Sequence, residues 1–141
     1  MNKYLALNVL AGLGMAIILI ISVLPAAAAP IRIKAADAPP GNSVLELQTD
    51  ELVTMTPIPF RLLIKDANGR PLTGAQVTCD MTMPSMTMPE NRPRVTEQDG
   101  VYTGEMIFTC AMGAWRITCT AISADNSSRT VTFDIESVKM K

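Results

Sequence analysis

The chain divides into an apolar N-terminal stretch and a longer part in which apolar and polar residues alternate. Residues 4–29 contain no charged side chain. Beyond residue 42, short alternating segments are separated by turn signals such as Asp66-Ala67-Asn68-Gly69 and Asp99-Gly100. Alternation is the period of a strand with one buried face, and Asp-Gly is typical of hairpin turns. No helical period is visible after residue 29, so the pattern predicts a β-protein.

The alternating segments are predicted to be short strands that each bury a single face. They cover residues 43–49, 60–65, 75–83, 94–97, 101–109, 114–122 and 129–136. Single buried faces must pack against one another, and turns at this spacing are typical of a sandwich. We therefore expect an all-β fold, an immunoglobulin-like antiparallel β-sandwich of about seven strands. An N-terminal hydrophobic helix is expected to precede it.

Residues 1–29 have the parts of an export signal. Lys3 is followed by an apolar run and a small-residue end at Ala27-Ala28-Ala29. The run is also long enough to span a bilayer, which takes about 20 residues, and Pro30 follows Ala29 directly. Both a cleaved signal peptide and an uncleaved membrane anchor stay open, and both place the remainder outside the cytoplasm. Residues 30–42 are predicted to be a linker, and residues 43–137 the domain.

Composition excludes several function classes. The chain has 12 basic and 13 acidic residues, few aromatic residues and no histidine. A dispersed, balanced charge argues against a nucleic-acid partner. Without histidine, zinc catalysis of the usual kind and Ser-His-Asp chemistry lack a required residue. We expect a protein that is not an enzyme.

Residues 81–89 read Met-Thr-Met-Pro-Ser-Met-Thr-Met-Pro, which concentrates thioethers in one short stretch. Period-two spacing puts Met81 and Met83 on the core face of a strand. Met86 and Met88 follow Pro84, which is poorly tolerated inside a strand, so we expect them in a loop. Met112 lies in a second connection that meets the first if both lie at one end of the sandwich.

Clustered thioethers favour soft metals such as Cu(I). The predicted metal ligands are therefore Met83, Met86, Met88 and Met112, with Met81 as a further helper. Hydrophobic packing or a methionine-rich contact surface is the alternative.

The chain has three cysteines, which are Cys79, Cys110 and Cys119. In an oxidising compartment two of them can form a disulfide, and one is left over. The pair Cys110–Cys119 is slightly favoured if their two strands lie side by side. The pair Cys79–Cys119 is the alternative, as a bridge between the sheets. Cys110 is also a candidate thiolate ligand, because it lies two residues before Met112.

Four motifs in this order resemble the YtkA-like domain, which is related to the FixH family. They are Pro71-Leu-Thr-Gly-Ala-Gln-Val77, Met83-Pro-Ser-Met86, Asp99-Gly-Val-Tyr102 and Met112-Gly-Ala-Trp115. The resemblance implies a small exported or membrane-anchored sandwich, and FixH-type proteins are associated with assembly of copper-containing cytochrome oxidase. Many members carry histidine beside the methionines. This chain does not, which puts a Cu(II)-imidazole site in doubt.

The expected function is therefore that of a cell-envelope accessory protein, periplasmic or otherwise extracytoplasmic, that binds or delivers Cu(I). The alternative is an interaction module without metal in an envelope assembly, either an oxidase or an efflux system. The expected partners are a protein of such an assembly, and the membrane itself if residues 4–29 are retained.

Overall fold

The computed structural model describes residues 29–36 and 43–141, and the regular elements of these residues are β-strands. The predicted N-terminal hydrophobic helix lies outside the described residues. Within them, no helix has the length and apolar character needed to cross a bilayer. The strands are β1 (Ile31–Lys34), β2 (Val44–Leu47), β3 (Ile58–Leu63), β4 (Gln76–Thr82), β5 (Thr96–Gln98), β6 (Val101–Met106), β7 (Trp115–Ile122) and β8 (Ser128–Ile135).

These strands form two antiparallel sheets. The larger has the order β1-β2-β3-β6-β5, and the smaller has the order β4-β7-β8. The predicted alternation explains how they pack, because the buried positions recur at every second residue, as in Trp115, Ile117, Cys119 and Ala121 of β7. Facing apolar surfaces exclude water from the space between the sheets. The prediction of an all-β sandwich is confirmed.

The first strand lies in the segment that was predicted to be a linker. Ile31–Lys34 pairs with β2, and its two isoleucines are half-buried while Arg32 and Lys34 are exposed. The Arg32 side chain also lies 3.4 Å from the Glu46 carboxylate. The linker prediction for residues 30–42 is therefore corrected over this strand. Alternation across four residues was the available signal, and the prolines and glycine that follow obscured it.

Aromatic side chains join the sheets near one end of the core. Phe108 and Trp115 are fully buried and meet edge to face, with ring centroids 5.3 Å apart. The Trp115 indole N–H donates to the Cys110 carbonyl at 2.9 Å. This hydrogen bond links the connection that follows β6 to the start of β7.

Gly104 in β6 permits a close approach of the chain. A Cβ at this position would lie 2.2 Å from the Arg94 carbonyl oxygen and 2.8 Å from the Phe60 ring. Only glycine leaves room for that crossing. The segment that carries the chain from β4 to β5 is thereby held against the larger sheet.

The strand registers divide the connections between two ends of the sandwich. Leu47 pairs with Ile31 and Phe60, and Ile58 pairs with Met106, so β1 begins and β6 finishes at the same end. We call this the methionine end. It carries residues 29–30, 48–57, 83–95, 107–114 and 136–141. The opposite end carries the turns at residues 64–75, 99–100 and 123–127.

Candidate functional site

The methionine repeat is divided between the core and a loop. Met81 lies in β4, Met83 follows it, and both are buried, as the alternation predicted. Pro84 stops the strand, and the Met86 N–H donates to the Met83 carbonyl at 3.2 Å to close a turn. Met86 is then 46% exposed, whereas Met88 is half-buried and packs against the core. Only one of the four thioethers is therefore freely presented to solvent.

Met112 is the second exposed thioether of the predicted set. Its side chain is 79% exposed, and its backbone N–H approaches the Cys110 sulfur at 3.4 Å. The hydrogen bond from Trp115 to the Cys110 carbonyl fixes the base of this loop. A half-buried thiol therefore lies beneath the Met112 backbone.

The two methionine loops contact each other at Gly113. A Cβ on Gly113 would lie 3.1 Å from the Ser85 hydroxyl oxygen and 3.6 Å from the Met83 methyl carbon. Gly113 also has a φ of 150°, which residues with a side chain rarely adopt. The sequence-based expectation that these loops meet is thus fulfilled, with a glycine at the contact point.

Residues 90–92 hold the rest of the first loop in place. The Met81 N–H donates to the Asn91 carbonyl at 2.9 Å, and the Asn91 side-chain amide donates to the Ile107 carbonyl at 3.0 Å. Arg92 forms ion pairs with Asp80 and Glu90, and the hydrogen bond that Arg92 donates to Asp80 is the main cause of the raised pKa of Arg92. These pairs are exposed and add little stability. The backbone bonds therefore matter more for the position of the loop.

The cysteine pairing differs from the one that was favoured. Cys79 and Cys119 form the disulfide, and they are direct partners in the β4–β7 ladder. Cys110–Cys119 is wrong because β6 and β7 lie in different sheets, so the strands that flank the connection are not neighbours. The bridge also lies within one sheet and does not join the two. Cys110 is a free, half-buried cysteine.

Two further methionines reach this end that the sequence did not single out. Met55 is 60% exposed with a φ of 57°, and its N–H donates to the Phe108 carbonyl at 2.8 Å. Met140 is 70% exposed, and its sulfur lies 3.8 Å from the Thr54 hydroxyl. Each stands alone in the sequence. Long-range pairing of residues 52–54 with the C-terminal segment brings the two together.

The donor chemistry of this end is soft. Its candidate ligands are the thioethers of Met86 and Met112, the partly or fully buried thioethers of Met88 and Met83, and the Cys110 thiol. Within residues 29–36 and 43–141, no group of three or more His, Cys, Asp and Glu side chains is placed to hold a metal ion.

Comparison with known proteins identifies the family of the chain. The family model described as YtkA-like matches residues 44–120, which is more than half of the 141 residues. The match runs from β2 into β7 and includes both methionine loops. Searches of curated proteins and of solved structures found no match. On the family match, the chain belongs to the YtkA-like family.

Proposed function

We propose that the protein binds Cu(I) in the cell envelope and passes it to a partner, and that the methionine end is the binding site. The proposed ligands are Met86 and Met112, with Met83 and Met88 completing the site from the core side. The observation that carries the proposal is the contact of the two loops at Gly113. It sets two exposed thioethers on neighbouring segments that are far apart in sequence.

Thioether sulfur suits Cu(I) better than the harder divalent ions. The absence of histidine from the whole chain supports a reduced metal over Cu(II). Methionine side chains have three rotatable bonds, so Met86 and Met112 would adapt to a shared ion by side-chain rotation. Such a site would hold its metal through neutral groups and release it readily to a stronger ligand set.

Cu(I) titration of the full-length protein in detergent, with ascorbate present and a colorimetric chelator as competitor, tests the proposal. The protein should withdraw Cu(I) from the chelator. The double variant Met86→Leu/Met112→Leu should lose at least about tenfold in affinity, since even disruption of groups behind a ligand costs that much. Leucine keeps the size and apolar character of methionine, so the fold should be unaffected.

The matched control is Met55→Leu/Met140→Leu. These methionines are also exposed and lie at the same end, but outside the two loops that meet at Gly113. Unchanged affinity is expected. Equal losses in the two double variants would refute the assignment of ligands, and a wild-type protein that withdraws no Cu(I) would refute the copper function.

The pH dependence separates thioether binding from thiolate binding. Thioethers need not lose a proton, so a site without Cys110 should keep its affinity from about pH 6 to about pH 8. A site that uses the thiolate of Cys110 should bind more tightly as the pH rises, because metal and proton compete for the sulfur. Cys110→Ser should then remove this dependence. The variant should change nothing in the thioether site that we propose.

A second candidate function is protein interaction without metal. It is favoured by the collection of exposed apolar side chains at one end, which are Met55, Met86, Ile107, Met112 and Met140. Adaptable methionine surfaces suit partner binding. The partner would be a component of an envelope assembly, such as a copper oxidase under assembly or an efflux system. Met86→Leu/Met112→Leu should leave such binding intact, whereas Met86→Asp/Met112→Asp should abolish it.

We propose that residues 4–29 address the chain to the cell envelope and remain as its anchor. The uncharged run between Lys3 and Arg32 supports this proposal. We also propose an immunoglobulin-like class for the sandwich. Two antiparallel sheets and the buried Trp115 support it, whereas the position of the disulfide within one sheet is a departure from that pattern.

A further inference from the structure

Exposed large apolar side chains are concentrated at one end of the sandwich. Five of the six large apolar side chains that are exposed in residues 29–36 and 43–141 lie at the methionine end, and only Ile122 lies at the other. The opposite end is made of polar turns that contain Asp66, Asn68, Asp99 and Asp125. An end that exposes so much apolar surface is typical of an interaction site.

The chain enters the sandwich at this same end. Ile31, the first residue of β1, pairs with Leu47, and Leu47 leads directly into residues 48–57 of the methionine end. The uncharged N-terminal run reaches Ala29, and Pro30 alone separates Ala29 from Ile31. Because an extended residue spans at most about 3.6 Å, two steps keep Ile31 within about 7 Å of the end of the run.

We propose that the methionine end lies on the surface of the lipid bilayer in which residues 4–29 are anchored. With Pro30 alone between the uncharged run and β1, the sandwich has little room to turn over. The end at which the chain emerges must therefore face the membrane. This inference rests on the proposed retention of the N-terminal segment and not on copper binding.

The chemistry of the methionine end suits shallow contact with lipid. Long, flexible methionine side chains can enter the boundary between headgroups and acyl chains, where apolar groups bury to a depth of about 5–10 Å. Charges at this end include the ion pairs Lys139–Glu51 and Arg92–Glu90, so both signs are present. The contact should therefore depend on apolar insertion and not on anionic lipid.

The orientation has a consequence for the proposed metal site. Met86 and Met112 would face the membrane and not the bulk solvent. Cu(I) would then be exchanged with a membrane-embedded protein, at the level of the lipid headgroups. The opposite end, with its polar turns, would point away from the bilayer.

Quenching of tryptophan fluorescence by brominated acyl chains tests the orientation. Full-length Met112→Trp and Met86→Trp variants would be reconstituted in phosphatidylcholine vesicles, with and without brominated lipid. Ala124→Trp is the matched control, because Ala124 is exposed in the turn at the opposite end. The native Trp115 is fully buried and fluoresces in every variant. Its contribution is the background, and it is measured with the wild-type protein. Bromination should cause a loss of fluorescence in Met112→Trp and Met86→Trp, and none above background in Ala124→Trp.

A second experiment inserts a flexible Gly/Ser linker of about 15 residues between Ala29 and Pro30. A linker of that composition frees the sandwich to reorient. Quenching of Met112→Trp should fall when the insert is present. Equal quenching at both ends, or quenching at neither, would overturn the orientation. An intact mass that lacks residues 4–29 would overturn it too, and would leave the outcome of the Cu(I) titration unaffected.

Discussion

Gly113 lies so close to Ser85 that a Cβ on the glycine would be 3.1 Å from the serine hydroxyl oxygen. The contact joins two connections that leave different sheets, and it brings Met86 and Met112 to the same surface. We therefore regard this pair as the structural basis of the proposed site.

Gly113→Ala should separate the two loops and weaken Cu(I) binding. The added methyl group would press on Ser85, and the φ of 150° would cost of order 1–3 kcal/mol for a residue with a side chain. Gly74→Ala is the matched control, because it introduces a similar conformational cost at φ 64° with no atom within 4 Å. Urea unfolding should show both variants less stable, whereas Cu(I) titration should distinguish them. If Gly113→Ala and Gly74→Ala bound Cu(I) with equal affinity, the contact between the loops would not be required for metal binding.

Met81 and Met86 should differ sharply in their contribution to stability, although both belong to the same short repeat. Met81 is 1% exposed, so Met81→Ala should leave a cavity and lower the free energy of unfolding by about 2–5 kcal/mol. Met86 is 46% exposed, and Met86→Ala should stay within about 0.5 kcal/mol of wild type. Urea unfolding measures both values. A large loss in Met86→Ala would mean that the loop supports the core.

Removal of the Cys79–Cys119 bridge should destabilise the protein by about 4 kcal/mol, from the chain entropy of a loop that spans 40 residues. The double variant Cys79→Ala/Cys119→Ala tests this by urea unfolding. Cys110→Ala is the control and should change the free energy of unfolding much less, because Cys110 is free and half-buried. Peptide mapping without reduction should recover Cys79 joined to Cys119. Recovery of a peptide that contains Cys110 in the bridge would contradict the pairing.

Tyr102 should make stability fall at alkaline pH. Its hydroxyl donates to the Leu72 carbonyl at 2.8 Å and accepts from the Ala75 N–H at 3.2 Å. Burial is the main cause of the raised pKa of Tyr102, so the folded protein keeps the phenolic proton at pH values where the unfolded chain loses it. The unfolded state then binds fewer protons, and stability decreases as the pH rises through about 10.

The variant Tyr102→Phe isolates this contribution. At neutral pH it should be less stable than wild type by about 1–3 kcal/mol, because the Leu72 carbonyl and the Ala75 N–H lose their partner. The difference from wild type should shrink above about pH 10, where wild type alone has this tyrosine to ionise. Unfolding by urea across the pH range measures it. A difference that stays constant with pH would contradict the assignment.

The local alternation of the sequence predicted every strand except β1, and it did so because neighbouring residues of a strand point to opposite sides. Cys79, Met81 and Met83 are buried as this rule requires. Val77, which the same rule puts on this face, is only half-buried because it lies near the opposite end of β4.

Pairing between distant segments could not be predicted in the same way. The disulfide depended on which strand lies beside β7, and that neighbour is β4, which is 40 residues away at the bridge. The local period contains no information on that choice. The same holds for Met55 and Met140, which reach the methionine end through the pairing of Val53 with Lys139.

The candidate site was predictable in part, because Pro84 marks where the strand stops and the loop begins. The sequence placed Met86 and Met112 outside the strands, and both are exposed. It did not predict the role of Gly113, whose conformation and contact with Ser85 depend on how the two sheets pack. The glycine directly after Met112 was the one sequence feature that indicated an unusual backbone conformation there.

The direction of β1 determines how the sandwich would respond to mechanical load. A force that pulls Ile31 away from the methionine end acts along the strand axis. The hydrogen bonds to β2 run across that axis and span all the paired residues from Ile31 to Lys34. They would be sheared together and not opened one at a time, so even this short edge strand would resist detachment cooperatively.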